Sequence, residues 1–246
     1  MLEDGREVVI QFRPEPLDIK PFEARPGAKV PEGNTPQRGY PSCDLWAECL
    51  PRDMLPKPSR TATTIDGHIR PHLQLILASN DAQIRQFHST AHTMLAKLDK
   101  LKILPLFVAH FDLNDVNIMV DNNYEVSGIV DWELSTPLPF GMGFARIHTL
   151  AGEYSDRKFC VPDEFEDAER GFWEEIQDGI PDHVRKVFKD SPELIQDAVL
   201  LGTLLDAFQL DDGKIGGYNQ AVVEALPKLL TYQLPMVRGD ASPYSV

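Results

Sequence analysis

The stretch that most constrains this chain runs from His110 to Glu133 and reads HFDLNDVNIMVDNNYEVSGIVDWE. An apolar run, from Ile103 to Ala109, leads into it. Two short alternating apolar segments then flank a polar turn. Ile118 and Val120 lie before it, and Val126, Ile129 and Val130 after it. Asp121, Asn122 and Asn123 supply the turn chemistry between them. The pattern predicts a β-hairpin. A hairpin returns the chain to its start, so its second strand is expected to carry Asp131 to about the same end as Asn117. Asp112 stands just before the first strand. Three polar side chains are thereby expected to converge on one small volume.

Two carboxylates and a carboxamide are hard oxygen donors, the kind that suits Mg²⁺. A carboxylate beside such a metal can orient a hydroxyl and receive its proton. This division of labour is the one phosphoryl transfer needs, with a metal to neutralise phosphate charge and an acid to position the nucleophile. A hairpin that merely carries acids at its ends is the plainer reading, but it leaves the spacing of those acids unexplained. A metal-dependent hydrolase built on the same carboxylates is a weaker reading, because the sequence shows no second metal cluster.

His110-x-Asp112 followed by Asn117 gives H-x-D-x-x-x-x-N, the spacing of a kinase catalytic loop. Asp131 then follows a hairpin, where kinases carry a metal-binding acid. With HFDLNDVNIMVD at 110–121 and GIVDWELS at 128–135, the chain resembles the aminoglycoside phosphotransferase or choline kinase-like family, especially its fungal small-molecule kinase homologues. The usual version of these motifs is H-G-D-L-x-x-x-N-I-L-V and then I-I-D-W-E. GREVVIQFRPEP at 5–16, continuing as LDIKPFE at 17–23, is similar to an early strand of that subgroup. The likeness spans residues 80–235 well and 1–25 loosely.

The resemblance implies an α+β, protein-kinase-like fold with a mostly helical C-terminal lobe and a reduced N-terminal β lobe. It implies an ATP- and Mg²⁺-dependent phosphotransferase acting on a hydroxyl of a small molecule. Asp112 would be the catalytic acid–base. His110 would hold the loop by packing and hydrogen bonding, with Asn114 as loop support. Asn117 and Asp131 would hold the metal, and Gln11 or Arg13 would occupy the phosphate-gripping position. The acceptor stays open, because one fold serves many acceptors.

The chain departs from the family pattern in two ways. Phe111 stands where a small glycine is usual, and no glycine-rich segment precedes the strand expected at 6–13. The expectation is a sequence that opens part-way through the small lobe. A catalytically impaired, pseudokinase-type binding module is the alternative reading.

The expected organisation is a reduced N-terminal lobe over 1–72, a kinase-like lobe over 73–235 and a tail over 236–246. Prolines at 21, 26, 31, 36, 41, 51, 56 and 58 predict an irregular segment over 21–60. Leu73, Leu75, Ile76 and Leu77 fit either a strand or a first helical turn. Ile84, Phe87, Ala91, Met94, Leu95 and Leu98 recur at helical spacing, with Ser79 or Asn80 expected as the N-cap. His88 and His92 are four apart but lack an intervening Glu and a third ligand, so they are read as helix-surface histidines. Gly141-Met142-Gly143 is too short for a phosphate loop and is read as part of a connecting loop. Helices are expected over 163–178, with an acidic face, over 192–210 behind a Ser191 cap, and over 218–230. The tail after Pro235 is expected to fray.

The net charge of −14 argues against a nucleic-acid partner and against an anionic membrane surface. Cys43, Cys49 and Cys160 form no metal-spaced cluster. Their odd number suggests free thiols in a reducing compartment. The N-terminus has no basic and apolar leader pattern, and no apolar run is long enough to span a bilayer. The expectation is a cytoplasmic protein with a small-molecule acceptor.

Overall fold

The computed structural model describes residues 58–107, 110, 117–120, 126–130, 137–146, 153–155, 158–160 and 165–238. The first described elements form one nearly unbroken helical run. Helix α1 (Pro58–Thr64) passes through a widened turn over Ile65–Ile69 into α2 (Arg70–Ala78). In the widened turn the Arg70 N–H donates to Ile65 O, a bond spanning five residues. The turn comes just before Pro71, which has no N–H to continue an ordinary ladder. Ile65, Ile69, Leu73 and Ile76 follow one another at intervals of three and four and are all buried. The apolar patch at 73–77 is therefore helix, and the run crosses residue 72, where the sequence reading divides the chain.

Asp81, rather than Ser79 or Asn80, caps the next helix. Its Oδ1 accepts from Gln83 N at 2.8 Å, while Ser79 Oγ accepts from Asp81 N at 3.2 Å. Helix α3 (Ala82–Arg85) is short and gives way at Phe87 to α4 (His88–Leu101), so the periodic stretch is two helices instead of one. Helix α4 buries Ala91, Met94, Leu98 and Leu101. Thr61 fixes the chain leaving it, donating to Leu104 O at 2.9 Å from a fully buried side chain.

Among the described residues, four two-stranded ladders punctuate the rest. Strand β1 (Leu106–Phe107) pairs antiparallel with β4 (Leu138–Pro139), and β2 (Ile118–Val120) pairs with β3 (Val126–Ile129). Strands β5 (Glu153–Ser155) and β6 (Lys158–Cys160) form a third ladder. After these come α5 (Phe165–Gly179), α6 (Asp182–Asp190) and α7 (Pro192–Ala207).

Helix α7 is apolar on nearly all sides and forms the axis of the core, burying Ile195, Ala198, Val199, Leu201 and Leu204 among others. It stops at Ala207, short of the expected 210. The chain turns there into the hairpin of β7 (Leu210–Asp211) and β8 (Lys214–Ile215). Asp212 and Gly213 both take positive φ, at 47° and 73°, as a tight hairpin turn requires. Helix α8 (Gln220–Leu229) begins at an Asn219 cap, whose side chain accepts from Ala221 N at 2.9 Å.

Helix α9 (Pro235–Arg238) closes the described chain. Residues 236–238 are docked, where the sequence predicts fraying after Pro235, and 239–246 lie outside the described residues. Gln196 brackets the approach to the helix, donating to Tyr232 O at 2.7 Å and accepting from Leu234 N at 2.6 Å. Arg238 pairs at 2.8 Å with the buried Glu169. Trp173 Nε1 donates to the Tyr232 hydroxyl at 2.9 Å. Burial, and then the Glu169 charge, push that phenol's pKa far above the usual tyrosine range. Among the described residues, no helix is long and apolar enough to cross a membrane.

Candidate functional site

The strands that flank the candidate stretch in the chain, β1 and β4, lead into a cluster of aromatic rings. Phe107, at the end of β1, stacks on Phe144 with centroids 5.5 Å apart and tilts against Phe140 at 5.2 Å. Phe140 in turn meets Phe188 at 5.4 Å, and Phe144 meets Trp173 at 5.2 Å. These rings tie β1 and β4 to α5 and α6. A further ladder bond, Phe140 N to Pro105 O at 2.8 Å, extends the β1–β4 pairing.

Between β1 and β4 in the chain lies the hairpin read from the sequence. Ile118 opposes Ile129, Met119 opposes Gly128, and Val120 opposes Val126. The register shifts by one between Met119 and Val120, a bulge that leaves Ser127 without an opposite number. At the hairpin's base both backbone polar groups of Val130 are engaged. Its N–H donates to Asn117 O at 3.0 Å, and its carbonyl accepts from His110 Nε2 at 2.8 Å. His110 is 1% exposed and Asn117 is 7% exposed. A carbonyl oxygen only accepts, so it is the Nε2 proton of the ring that makes this bond. Thus His110 and Asn117, the first and last residues of the loop motif, meet on the residue that immediately precedes Asp131.

Of the predicted site residues, His110 and Asn117 are brought together in this way. Gln11, Arg13, Asp112, Asn114 and Asp131 lie outside the described residues, as do Asp115 and Glu133. Among the described residues, no group of three or more His, Cys, Asp or Glu is placed to hold a metal.

Two side chains outside the sequence-predicted set belong to this region. Met119 is 52% exposed and Val130 is 40% exposed. Met119 lies over Gly128, where an added Cβ would sit 3.9 Å from its sulfur. Val130 continues the Gly128 side of the hairpin by the period-two rule. The hairpin therefore presents apolar surface to solvent beside the buried Asn117. In the sequence, Met119 alternates with Ile118 and Val120, and that period of two is the signal that could have singled it out.

Gly141-Met142-Gly143 does not cradle anything ionic among the described residues. Gly141, at φ 104°, opens a single 3₁₀ turn over Met142–Phe144. A Cβ there would come within 2.9 Å of Ala198 Cβ and 3.0 Å of Ile195 O. Gly202 serves the same contact from the other side, where a Cβ would collide with Met142 O. These glycines exist for close approach of the loop to α7.

Residues 41–159 match the sequence model of a family described as the phosphotransferase enzyme family. The matched span contains the whole His110–Glu133 stretch. No curated protein matches the chain.

Proposed function

We propose that this chain, which belongs to the phosphotransferase enzyme family, transfers the γ-phosphoryl group of ATP to a hydroxyl of a small molecule in the presence of Mg²⁺. The observation that carries the reading is the doubly held Val130, with His110 on its carbonyl and Asn117 on its N–H. It ties the two ends of an H-x-D-x-x-x-x-N … D pattern to one point of the backbone.

The donor chemistry of the candidate residues suits the implied metal. Asn117 offers a carboxamide oxygen and Asp131 a carboxylate, both hard donors of the kind Mg²⁺ takes. Asn117 is buried at the held base of the hairpin, and Asp131 is the next residue after Val130. Asp112 would orient the acceptor hydroxyl and take its proton. His110 would keep the loop in register without touching substrate. The exposed faces of Met119 and Val130 would offer apolar surface to the nucleotide base. Bound Mg²⁺–ATP would supply the phosphoryl group and offset its charge.

The test is transfer of labelled γ-phosphate to a panel of amino alcohols, amino sugars and polyols, with and without Mg²⁺. Mg²⁺-dependent labelling of at least one acceptor supports the reading. Nucleotide binding with no transfer to any acceptor class would instead favour a catalytically impaired binding module.

A further inference from the structure

We infer that the Arg146–Asp206 ion pair is a positioning lock for the candidate catalytic hairpin, fastening the chain that leaves it to helix α7. The purpose of the lock rests on the phosphotransferase reading, whereas its geometry does not. Arg146 makes a two-pronged contact, Nε to Asp206 Oδ2 at 2.9 Å and Nη2 to Oδ1 at 3.0 Å. Gln209 Nε2 donates to the same Oδ1 at 2.9 Å and holds the carboxylate in place. The side chains are 27% and 19% exposed, so salt screens them less than a surface pair. A paired guanidinium and carboxylate fix orientation as well as distance.

Among the described residues, the lock is the last of a matched series. Successive residues of 141–146 meet successive turns of α7. Gly141 abuts Ala198, Met142 abuts Gly202, the Ala145 carbonyl accepts from Thr203 Oγ1 at 3.2 Å, and Arg146 pairs with Asp206. Each contact fits one register of the segment along the helix.

What the segment carries is the β1–β4 pairing. Phe140 N–H bonds Pro105 O, and Phe144 stacks on Phe107. Strand β1 is the last described element before His110, and β4 is the first described element after Val130. Both candidate catalytic stretches thus begin or end on a pairing whose downstream anchor is the lock. A small misplacement of such groups is enough to cost roughly a hundredfold in rate.

The test compares the full-length parent with Asp206→Asn, which keeps the shape and removes the charge. Arg146→Lys is the milder second variant, since an ammonium cannot reproduce the fork. Residue-resolved amide exchange is read at Phe140, Val130 and Leu98. Loss of hydrogen bonds to a charged group is expected to speed exchange at Phe140 and Val130 by about tenfold or more. Leu98, in the core of α4, should keep its parent rate, and Asp206→Glu should restore part of the protection. Unchanged exchange at Phe140 and Val130 in both variants would overturn the lock. Acceleration of Leu98 by the same factor would also overturn it, because the pair would then be a general stabiliser. In steady state, the lock predicts a lower kcat with little change in the nucleotide KM. Absence of transfer in the parent would sink the phosphotransferase reading while leaving the exchange result to decide the lock.

Discussion

The helical body around α7 and the hairpin at 117–130 are held by different means. The body is over-determined. Trp173, Phe208, Leu201, Leu204 and Ile195 are each at most 1% exposed, and all five belong to one contiguous apolar cluster. Among the described residues, the hairpin shows directional bonds at its base, those of His110 and Asn117 to Val130, and leaves Met119 and Val130 open to solvent. Burial is non-directional and tolerant of error, so it suits a scaffold. Hydrogen bonds fix angles, so they suit a place where oxygen atoms must be aimed. Along the chain, β1 precedes the hairpin, and β4 with the 141–146 segment follows it.

The sharpest way to separate them is a substitution with opposite effects on chemistry and stability. Asp112→Ala is expected to lower phosphoryl transfer by about 10²- to 10⁴-fold while Mg–nucleotide binding and the melting temperature stay near the parent values. Turnover and thermal unfolding measured on one preparation check it. Parent-like turnover would remove Asp112 from the proposed site.

The body should show the reverse. Trp173→Ala removes a ring that contacts Phe144, Phe172 and Phe188 and a hydrogen bond to Tyr232, and is expected to cost about 3–5 kcal/mol in denaturant unfolding. A cost under about 1 kcal/mol would mean that the aromatic cluster is not the support described above.

His110→Ala probes the joint between the two. It leaves the Val130 carbonyl without the imidazole and is expected to cost about 1–3 kcal/mol, felt locally. Amide exchange at Val130 should accelerate well beyond that at Leu98. Equal acceleration at both would place His110 in the body instead of the hairpin.

The smallest effect concerns pH and belongs to the body alone. His72 Nε2 donates to Phe208 O at 2.6 Å. Burial pushes its pKa below the ordinary 6.5, with the bond to Phe208 opposing the shift. The unfolded chain then binds a proton near 6.5 that the folded chain refuses, so ΔG of unfolding falls as pH drops from there toward the folded pKa. The stabilisation is fully present above the unfolded value. His72→Gln should flatten that slope, and a stability that rises on acidification through this window would reverse the assignment.

Much of the body is legible in the sequence because it repeats a simple signal. Ala91, Met94 and Leu98 show the helical period that α4 buries, and Ser191-Pro192 marks the start of α7. The hairpin is legible for the complementary reason, a change of period around a polar turn. What escapes depends on distant partners or on local chemistry that is outweighed. The patch Leu73–Leu77 is too short for periodicity to separate strand from helix, and burial in one cluster with Ile65 and Ile69 decides it. The sequence reading runs α7 on to 210 because apolar residues continue through Phe208 and Leu210, although Asp212-Gly213 is a strong hairpin signal. The docking of Pro235–Arg238 needs Glu169 and Gln196, which lie 69 and 38 residues from their partners Arg238 and Leu234 along the chain. The meeting of His110 with Val130 is likewise a long-range fact with no local mark.

Whether the base of this hairpin holds Mg–nucleotide is decided by thermal unfolding of the parent and of Asp131→Ala, each with and without millimolar Mg–ATP. A ligand bound only by the folded state at about a hundred times its Kd stabilises by about 2.7 kcal/mol. The parent is predicted to melt several degrees higher with Mg–ATP, by about 2–4 °C per kcal/mol for a chain of this size, and Asp131→Ala is predicted to lose most of that shift. No shift in the parent, or the same shift in both proteins, would contradict a Mg–nucleotide site at the base of this hairpin.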